Sequence, residues 1–380
     1  MRRMMFGVAV ALLVVAAGCA NDKSVAAPAS SDSQSTATTA APDGDSAAGA
    51  EADTDAPVWQ KVAATPNCEC SDGSDYFFMI HRGTSDRLVF YLEGGGACFS
   101  AGTCGPTTPS YTRNLADMDP DDPASDGIFD FENDANPFKD DSIVFVPYCT
   151  GDLHLGDAVH DYGNGVVIHH NGASNGATAL SAAAAAFPDV TDVVVAGSSA
   201  GSAPAPAYAG IAGDLFPDAR ITAIADASGA YPGTEGITMA VGTLWGIGNA
   251  LPRWPETAGE PQTAWSLPRL FVQAAKHNPD ITFVKYDTAY DETQQAFVKL
   301  AGFPGDDLMT MIDQNTAESE AGGAMLHSWV GPGELHTILG RKELYTTEVD
   351  GHSLIEWLAD VVDGKDVPDV HCTGTCGKPS

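Results

Sequence analysis

The chain has 380 residues, of which 44% are hydrophobic and 18% charged, so it is long and apolar enough to bury a core. Its 18 basic and 51 acidic residues give a formal net charge of −33. This charge argues against a nucleic-acid partner, whose phosphates require a basic surface, and against electrostatic adhesion to anionic lipid. We therefore expect an acidic globular protein that acts on a neutral or small substrate.

The N-terminal segment has the pattern of an export signal. Arg2 and Arg3 precede an apolar run at residues 6–17, which is too short for a stable transmembrane helix and typical of a signal-peptide core. The run ends in the sequence AAGC, and small residues before a cysteine are typical of bacterial lipoprotein signals. We expect residues 1–18 to be removed and Cys19 to carry a lipid, with ordinary cleavage near the same place as the alternative.

Residues 20–57 consist almost entirely of small and polar side chains. Such a segment cannot bury enough apolar surface to offset its ordering entropy, so it predicts a flexible tether. The predicted organisation is a signal peptide at 1–18, a lipid-anchored disordered tether at 19–57 and one folded domain at 58–380. No other run approaches transmembrane length, so any link to a membrane is expected to be the lipid alone. We expect an exported monomer, either secreted or held at a bacterial membrane by this lipid.

Beyond residue 58, short apolar runs alternate with helix-forming runs. The strand-like runs are residues 88–92, 142–146, 166–168, 193–196, 221–224, 281–284 and 324–330. Residues 177–186 are rich in alanine and predict a helix. Strands that are apolar throughout indicate burial on both faces. Their alternation with helices predicts an α/β fold with a mainly parallel sheet and helices on both faces.

The C-terminal part predicts a closing amphipathic helix. Ser353 and Glu356 have the spacing of a capping box. Apolar residues then recur at helical spacing, namely Leu354, Trp357, Leu358 and Val361. Before this helix, the glycine- and proline-rich residues 231–268 form a long excursion that we expect to cap or line a site.

Two segments match the pattern G-x-S-x-G of a nucleophile elbow. In GSSAG, at residues 197–201, a strand-like run leads into Ser199, and small neighbours permit the tight turn that exposes a nucleophilic hydroxyl. The same turn directs the Ala200 N–H towards a developing oxyanion. The second match, GASNG at residues 172–176, also fits a polar loop with a helix N-cap. We expect Ser199 to be the nucleophile, with Ser174 as the alternative.

A glycine-rich loop with the sequence LEGGGA follows a strand-like run at residues 92–97. Hydrolases of this fold complete the oxyanion hole with a backbone N–H from a loop in this position, because glycine lets amides approach a developing negative charge. A phosphate-binding loop would require a following Lys and Ser or Thr, which this segment lacks. The loop therefore predicts part of an oxyanion hole.

A catalytic serine requires a base and an orienting acid, in the chain order Ser, Asp or Glu, His for this fold. His336 lies in a turn just after the strand-like residues 324–330, from which a side chain can reach the elbow. His371, in the C-terminal tail, is the alternative base. His327 falls within the strand, and His352 lies near the start of the closing helix.

For the acid, the sequence YDE at residues 290–292 follows the strand-like residues 281–284, which makes Asp291 a candidate and Asp287 the near alternative. Acyl transfer through a serine needs no metal and no cofactor. Four residues of one loop are conceivable metal ligands, namely Asp152, His154, Asp157 and His160. We interpret this loop as a polar border of the active site.

Seven cysteines follow Cys19, namely Cys68, Cys70, Cys98, Cys104, Cys149, Cys372 and Cys376. In an exported protein they are expected to form disulfides, three at most, with one thiol left over. Cys98 and Cys104 are plausible partners in a short bridge. The close pairs at 68/70 and 372/376 are conceivable metal ligands, but no His/Cys pair at zinc-finger spacing accompanies them.

Together these motifs resemble the pectin acetylesterase family, which includes plant pectin acetylesterases and the animal Notum carboxylesterase. The resemblance rests on LEGGGAC at residues 92–98, VPYCTGD at 146–152, GSSAG at 197–201 and AYD at 289–291. These motifs occur in order over most of the folded part. The resemblance implies an α/β-hydrolase-like fold and a serine triad that removes acyl groups from esters.

Residue by residue, the resemblance implies Ser199 as nucleophile, Asp291 as acid and His336 as base. The implied oxyanion donors are the N–H groups of Gly95, Gly96 and Ala200. The implied disulfides are Cys98–Cys104 and a bridge from Cys149 to either Cys68 or Cys70.

Two departures from the family pattern bear on the site. Ala97 follows the paired glycines where plant and animal members have an aromatic residue, and Thr337 follows the histidine where they have a cysteine. His371 does precede a cysteine, which keeps it in consideration. The sequence thus predicts a serine carboxylesterase, with acetyl esters on a glycan as the first expectation. The alternatives are an esterase of other specificity and an inactive lipid-anchored binding protein of the same fold.

Overall fold

The computed structural model describes residues 58–107, 109–231, 233, 241–261, 265–302 and 307–377. The predicted signal peptide, the predicted tether and Cys19, the predicted site of lipidation, lie outside the described residues. These assignments and the predicted domain boundaries therefore stay predictions. Parts of the expected excursion at 231–268 also lie outside the described residues.

Strands occur where the sequence has short apolar runs. They are β1 (Gln60–Ala63), β2 (Phe77–His81), β3 (Arg87–Leu92), β4 (Ser142–Val146), β5 (Ala158–Asp161), β6 (Val167–His170), β7 (Asp192–Ser198), β8 (Arg220–Asp226), β9 (Thr282–Thr288), β10 (Met325–Gly331), β11 (Glu348–Val349), β12 (His352–Ser353) and β13 (Val370–His371). The predicted run at 142–146 coincides with β4, and the runs within β3, β7 and β8 are extended by one to three residues.

Nine of these strands form one sheet in the order β1-β2-β4-β3-β7-β8-β9-β10-β13. All neighbours from β4 to β13 are parallel, whereas β1 and β2 join one edge as antiparallel strands. The central strands β3, β4, β7 and β8 are buried almost throughout, which explains their continuous apolar sequence. The predicted α/β fold with a mainly parallel sheet is confirmed.

Helices flank this sheet. They include α1 (Ala101–Cys104), α2 (Gly172–Ala186), α3 (Ala205–Leu215), α4 (Ile247–Ala250), α5 (Leu267–His277), α6 (Glu292–Leu300), α7 (Leu308–Ala321) and α8 (Leu354–Val362). Helix α2 packs against β3 and β4, and α3 packs against β7 and β8. None of the helices formed by the described residues has the length and apolar character needed to cross a bilayer.

Three local predictions differ from the structure. The run at 166–168 belongs to β6, which pairs only with β5 in a separate hairpin and alternates in burial, so it is not a strand of the main sheet. Ser353 directly precedes α8, but its side chain makes no capping hydrogen bond, so the predicted capping box with Glu356 is wrong. Ser174 lies inside α2, which begins at Gly172 and leaves no loop at this position.

The cysteines form three disulfides, which are Cys70–Cys149, Cys98–Cys104 and Cys372–Cys376. Cys68 is a buried thiol that donates to Thr178 Oγ1 at 3.2 Å. Three bridges and one remaining thiol, as expected from the sequence, are thus found among the seven described cysteines. Cys70 is therefore the upstream partner of Cys149.

Candidate active site

Ser199 lies on the sharp turn between β7 and α3. Its φ of +54° falls in the left-handed region, which residues other than glycine rarely adopt. Gly197 and Gly201 lie on either side of Ser199, and both are in close contact with neighbouring backbone. A Cβ on Gly197 would overlap the carbonyl group of Gly201, and a Cβ on Gly201 would overlap the carbonyl group of Leu92. The small residues of the motif are thus required by sterics, and the turn presents Ser199 at the carboxyl edge of the sheet.

A continuous chain of hydrogen bonds joins Ser199, His336 and Asp291. His336 Nε2 lies 2.8 Å from Ser199 Oγ, and His336 Nδ1 lies 2.7 Å from Asp291 Oδ2. Because a carboxylate only accepts, Nδ1 donates to Asp291 and Nε2 is left to accept the serine O–H. Asp291 is fully buried, whereas the side chain of His336 is 19% exposed. The structure thus brings together the three residues that the sequence singled out.

Asp291 is held at the start of α6. Its Oδ1 accepts from the backbone N–H of Gln294 at 2.9 Å, and the Gln294 side chain donates to its Oδ2 at 3.1 Å. The same side chain donates to Asp287 Oδ1 at 2.9 Å. Asp287, the alternative acid, lies within β9 and also accepts from the N–H of Gly229. Burial raises the pKa of Asp287 to about 6, and its described hydrogen bonds do not include His336.

Hydrogen bonds hold the backbone on both sides of His336. Thr288 Oγ1 donates to the carbonyl of Leu335 at 2.8 Å, and Arg341 Nε donates to the carbonyl of His336 at 3.2 Å. Thr337, which occupies the position of the family's cysteine, adopts a φ of +66°. The loop therefore turns sharply just after the histidine, and hydrogen bonds rather than a disulfide at this position hold it.

The Cys372–Cys376 loop braces the segments that carry Asp291 and His336. The carbonyl of Cys376 accepts from the N–H of Gly333 at 2.9 Å, and the carbonyl of Thr375 accepts from the Tyr290 hydroxyl at 2.9 Å. Gly333 in turn accepts from the backbone N–H of Tyr290 at 2.9 Å. The C-terminal disulfide thus supports the site from outside the motifs.

The two alternatives from the sequence lie elsewhere. His371 is in β13, where its Nδ1 lies 2.8 Å from the carbonyl oxygen of Cys372 and its Nε2 lies 3.3 Å from Asp313. Ser174 lies in the first turn of α2, and its carbonyl faces the thiol of Cys68. Neither residue takes part in the described hydrogen bonds of Ser199 and its two partners.

The loop that carries the four conceivable metal ligands connects α2 to the glycine-rich segment. Asp152 is fully buried and accepts from the N–H of Gly172 at 2.8 Å, at the start of α2. His154 Nε2 lies 2.9 Å from the carbonyl oxygen of Glu93, and His160 lies in the separate hairpin strand β5. Across the described ranges, no three His, Cys, Asp or Glu side chains are arranged to hold a metal ion. The loop ties α2 to the glycine-rich segment after β3.

That glycine-rich segment packs directly on the serine turn. A Cβ on Gly94 would lie 2.9 Å from the Cβ of Ser199, closer than side chains can approach. Gly95 and Gly96 have φ values of +151° and +84°, in the region that favours glycine. Burial raises the pKa of the adjoining Glu93 to about 7. The glycines are therefore needed for this backbone to lie against the serine turn.

An apolar cavity of about 140 Å³ opens beside Ser199. Its wall includes Ala97, Leu153, Ala203, Trp245, Trp265 and Phe297. Trp245 is fixed by a hydrogen bond from its Nε1 to the carbonyl of Cys98 at 2.8 Å. Since Tyr231 and several residues between 241 and 267 line the cavity, the expectation that the excursion lines a site is confirmed.

Sequence motifs missed two buried polar residues of the site. Gln294 contacts Asp291 through both its backbone and its side chain. Asp226 ends β8, is fully buried, and accepts from Ser198 Oγ at 2.6 Å. The available signal was a lone carboxylate at the end of the mostly apolar sequence ITAIAD at residues 221–226.

A mainly parallel sheet with a serine on a strained strand-to-helix turn defines an α/β-hydrolase-like protein. The family model described as pectinacetylesterase matches residues 52–242, which is half of the chain. The chain belongs to the pectinacetylesterase family, a family of carboxylic ester hydrolases. The resemblance seen in the motifs is thereby confirmed.

Curated relatives match over shorter stretches. Palmitoleoyl-protein carboxylesterase notum2 of Xenopus laevis is 34% identical over 92 residues, which is 23% of this chain and 19% of that protein. NOTUM of Homo sapiens, also described as a palmitoleoyl-protein carboxylesterase, is 33% identical over 91 residues, 23% of this chain and 18% of that protein. The match with these two thus spans less than a fifth of their length. A Danio rerio protein described as inactive palmitoleoyl-protein carboxylesterase notum1b is 34% identical over 100 residues, 25% of this chain and 71% of that protein.

Among solved structures, the Wnt deacylase Notum from Drosophila is similar to this chain with a TM-score of 0.61. The sequence identity is 16%, and the match covers 83% of this chain and 97% of that one. At this identity the likeness concerns the fold alone. It confirms the α/β-hydrolase-like fold expected from the sequence.

Proposed function

We propose that this chain is a serine carboxylesterase that hydrolyses acyl esters through Ser199, His336 and Asp291. The observation that carries the proposal is the hydrogen-bonded chain between these residues, at 2.8 and 2.7 Å, beside an apolar cavity. Membership of a family of ester hydrolases supports an ester as the substrate.

In the proposed reaction, His336 Nε2 takes the proton of Ser199 while the serine oxygen attacks the ester carbonyl. Asp291 keeps Nδ1 protonated and stabilises the imidazolium that forms. The imidazolium then gives its proton to the leaving alcohol, which leaves an acyl group on Ser199. The same histidine activates a water molecule, which releases the acid and restores the serine.

The proposed oxyanion donors are the backbone N–H groups of Gly95, Gly96 and Ala200. Gly96 and Ala200 line the cavity beside Ser199, and Gly95 precedes Gly96 in the same loop. Such donors are strong where water is excluded, and losing one typically slows catalysis by about 10²- to 10³-fold.

The cavity favours an acyl group larger than the acetyl group first expected. Its volume of about 140 Å³ is close to the ~150 Å³ that holds a benzene ring in an engineered apolar cavity. Leu153, Trp245 and Trp265 offer apolar contacts, which an acetyl group is too small to fill. We therefore propose acyl chains of about six carbons as the preferred substrates.

The proposed chemistry is tested by fluorophosphonate labelling of the wild type, Ser199→Ala and Ser174→Ala. We expect the wild type and Ser174→Ala to be labelled and to hydrolyse p-nitrophenyl esters. Ser199→Ala is expected to remain unlabelled and to lose about 10⁴-fold or more in kcat. If the wild type stays unlabelled while a known serine esterase reacts, the proposal is refuted. That result would favour the alternative of an inactive binding protein of the same fold.

The acyl preference is tested with p-nitrophenyl acetate, hexanoate and palmitate. We expect kcat/KM to be about tenfold higher for hexanoate than for acetate, because extra methylenes are buried in the cavity. Ala203→Leu fills part of the cavity and should lower kcat/KM for hexanoate while leaving acetate nearly unchanged. A wild type that prefers acetate or palmitate contradicts the proposed chain length.

The proposed setting is outside the cytoplasm. Three disulfides are typical of exported proteins, which agrees with the signal pattern before Cys19. In this proposal a lipid on Cys19 holds a monomeric enzyme at a bacterial membrane, and residues 19–57 act as its tether. The substrate would be an acylated glycan or a small ester, and a nucleic-acid partner is disfavoured by the net charge of −33.

A further inference from the structure

We infer that Asp226 is a positioning residue that holds the nucleophile turn and the His336 loop together. Ser198, the residue before the nucleophile, donates its hydroxyl to Asp226 Oδ2 at 2.6 Å. The backbone N–H groups of Ile338 and Leu339 donate to the same carboxylate at 3.0 Å. One fully buried side chain thus bonds both segments whose relative placement sets the distance between the nucleophile and its base.

The pairing of strands places Asp226 at the start of the nucleophile turn. β7 and β8 are parallel, and Ser198 lies opposite Asp226 in their register. Tyr91, on the neighbouring strand β3, donates its hydroxyl to Ser198 Oγ at 3.0 Å. Ser198 therefore accepts from Tyr91 and donates to Asp226, and the three buried side chains connect three adjacent strands at the edge that carries the site.

The hydrogen bonds around Asp226 suit an ionised carboxylate. Each described partner is a donor, and an ionised carboxylate only accepts. Burial raises the pKa of Asp226, and this rise is opposed by the hydrogen bonds from Ser198, Leu339 and Ile338 and by charge on His336. An asparagine keeps the shape of the side chain but replaces one acceptor oxygen by a donor. It therefore cannot satisfy both segments in the same way.

Three strained residues surround these contacts. Ser199, Ala227 and Thr337 have φ values of +54°, +69° and +66°. Side chains persist in this region only where the surrounding structure holds them there. Each of the three adjoins a residue of the Asp226 network, so loss of the carboxylate lets the turn and the loop relax. The relaxation separates Ser199 from His336 without touching a bound substrate.

The test compares Asp226→Asn with Asp141→Asn. Asp141 is 1% exposed and accepts from Ser85 and Arg87 at the opposite end of β3, so its variant controls for the loss of a buried charge. Under conditions where both variants are folded, we expect Asp226→Asn to lower kcat about 100-fold with KM unchanged. Fluorophosphonate labelling should slow by a similar factor, and Asp141→Asn should keep the wild-type kcat.

Ser198→Ala provides a second variant, because it removes one contact of Asp226 and leaves the two amide contacts. We expect its labelling to slow about tenfold, and this variant decides the outcome where Asp226→Asn does not fold. The inference is overturned if folded Asp226→Asn keeps the wild-type kcat, or if Asp141→Asn loses as much kcat as Asp226→Asn. The inference rests on the proposed function. A wild type that fails to label refutes that function, whereas a labelled wild type with an equally active variant refutes the positioning role alone.

Discussion

Two kinds of contact place His336, those of its ring and those of its backbone. A mutation of the side chain removes the first kind and leaves the second. Its ring contacts Ser199 and Asp291, whereas its backbone is held by hydrogen bonds to the carbonyl groups of Leu335 and His336 itself. Removing the ring removes the proposed base but leaves the loop anchored. A mutation of the ring should therefore reduce activity far more than stability.

At this scale we predict opposite outcomes for the two candidate histidines. His336→Ala should lower kcat by about 10⁴-fold or more, because it removes the proposed acceptor of the serine proton. His371→Ala should stay within about twofold of the wild type, because surface changes away from a site have small effects. Steady-state hydrolysis of a p-nitrophenyl ester measures both. If His371→Ala were the inactive variant, the assigned base would be wrong.

The serine turn links β7 to α3 through a stretch where backbone approaches backbone. The Gly201 Cα hydrogens face the carbonyl group of Leu92 at the end of β3, so this turn and the strand before the glycine-rich loop fit together only without side chains. The same closeness brings Gly94 against Ser199. The elbow and the glycine-rich loop are thus one packed unit.

For this unit we predict that Gly201→Ala lowers the free energy of unfolding by about 3 kcal/mol, because its Cβ overlaps the backbone of Leu92. Urea unfolding followed by fluorescence measures the change. Gly340→Ala is the matched control, since its Cβ would meet only the ring of Phe129 at 3.9 Å. That variant should be unchanged or more stable by about 0.5 kcal/mol. Equal stability of Gly201→Ala and the wild type would contradict the packing argument.

Across the whole molecule, several buried groups link folding to pH. His170 is fully buried; its Nδ1 donates to the carbonyl of Thr150, and its Nε2 accepts from the Tyr162 hydroxyl. Burial lowers the pKa of His170 to about 4. Between pH 6.5 and 4 the unfolded chain therefore binds a proton that the folded chain does not. The contribution of His170 to stability falls as the pH falls through this window.

We predict that His170→Gln flattens the acid side of the stability curve. Relative to the wild type, it should recover about 1.4 kcal/mol per pH unit between pH 6.5 and 4, roughly 3 kcal/mol in all. Buried Asp287, with its pKa raised to about 6, contributes in the opposite direction in both proteins and cancels in the difference. Urea unfolding at several pH values measures this, with His371→Gln as the exposed control. Parallel curves for wild type and His170→Gln would refute the assignment.

Much of the fold could be predicted from local patterns, because an apolar run buried on both faces has the same sequence wherever it lies in the sheet. The run at 142–146 became β4 without change. The run at 166–168 was misplaced, because its period-two burial in a hairpin is too short to distinguish from a core strand. The capping box at Ser353 failed because spacing alone does not orient a side chain.

For the site, the sequence alone determined the serine turn, since steric demands at residues 197–201 are local and appear as small side chains in a row. Only the tertiary structure shows that His336 and not His371 lies beside Ser199, that Asp291 and not Asp287 accepts from His336, and that Cys70 joins Cys149. The contact between Ser199 and His336 joins residues that are 137 positions apart, and that between Asp291 and His336 joins residues that are 45 positions apart. Both contacts depend on which strand ends lie together at one edge of the sheet. The spacing of residues along the chain does not determine which strands become neighbours in the sheet.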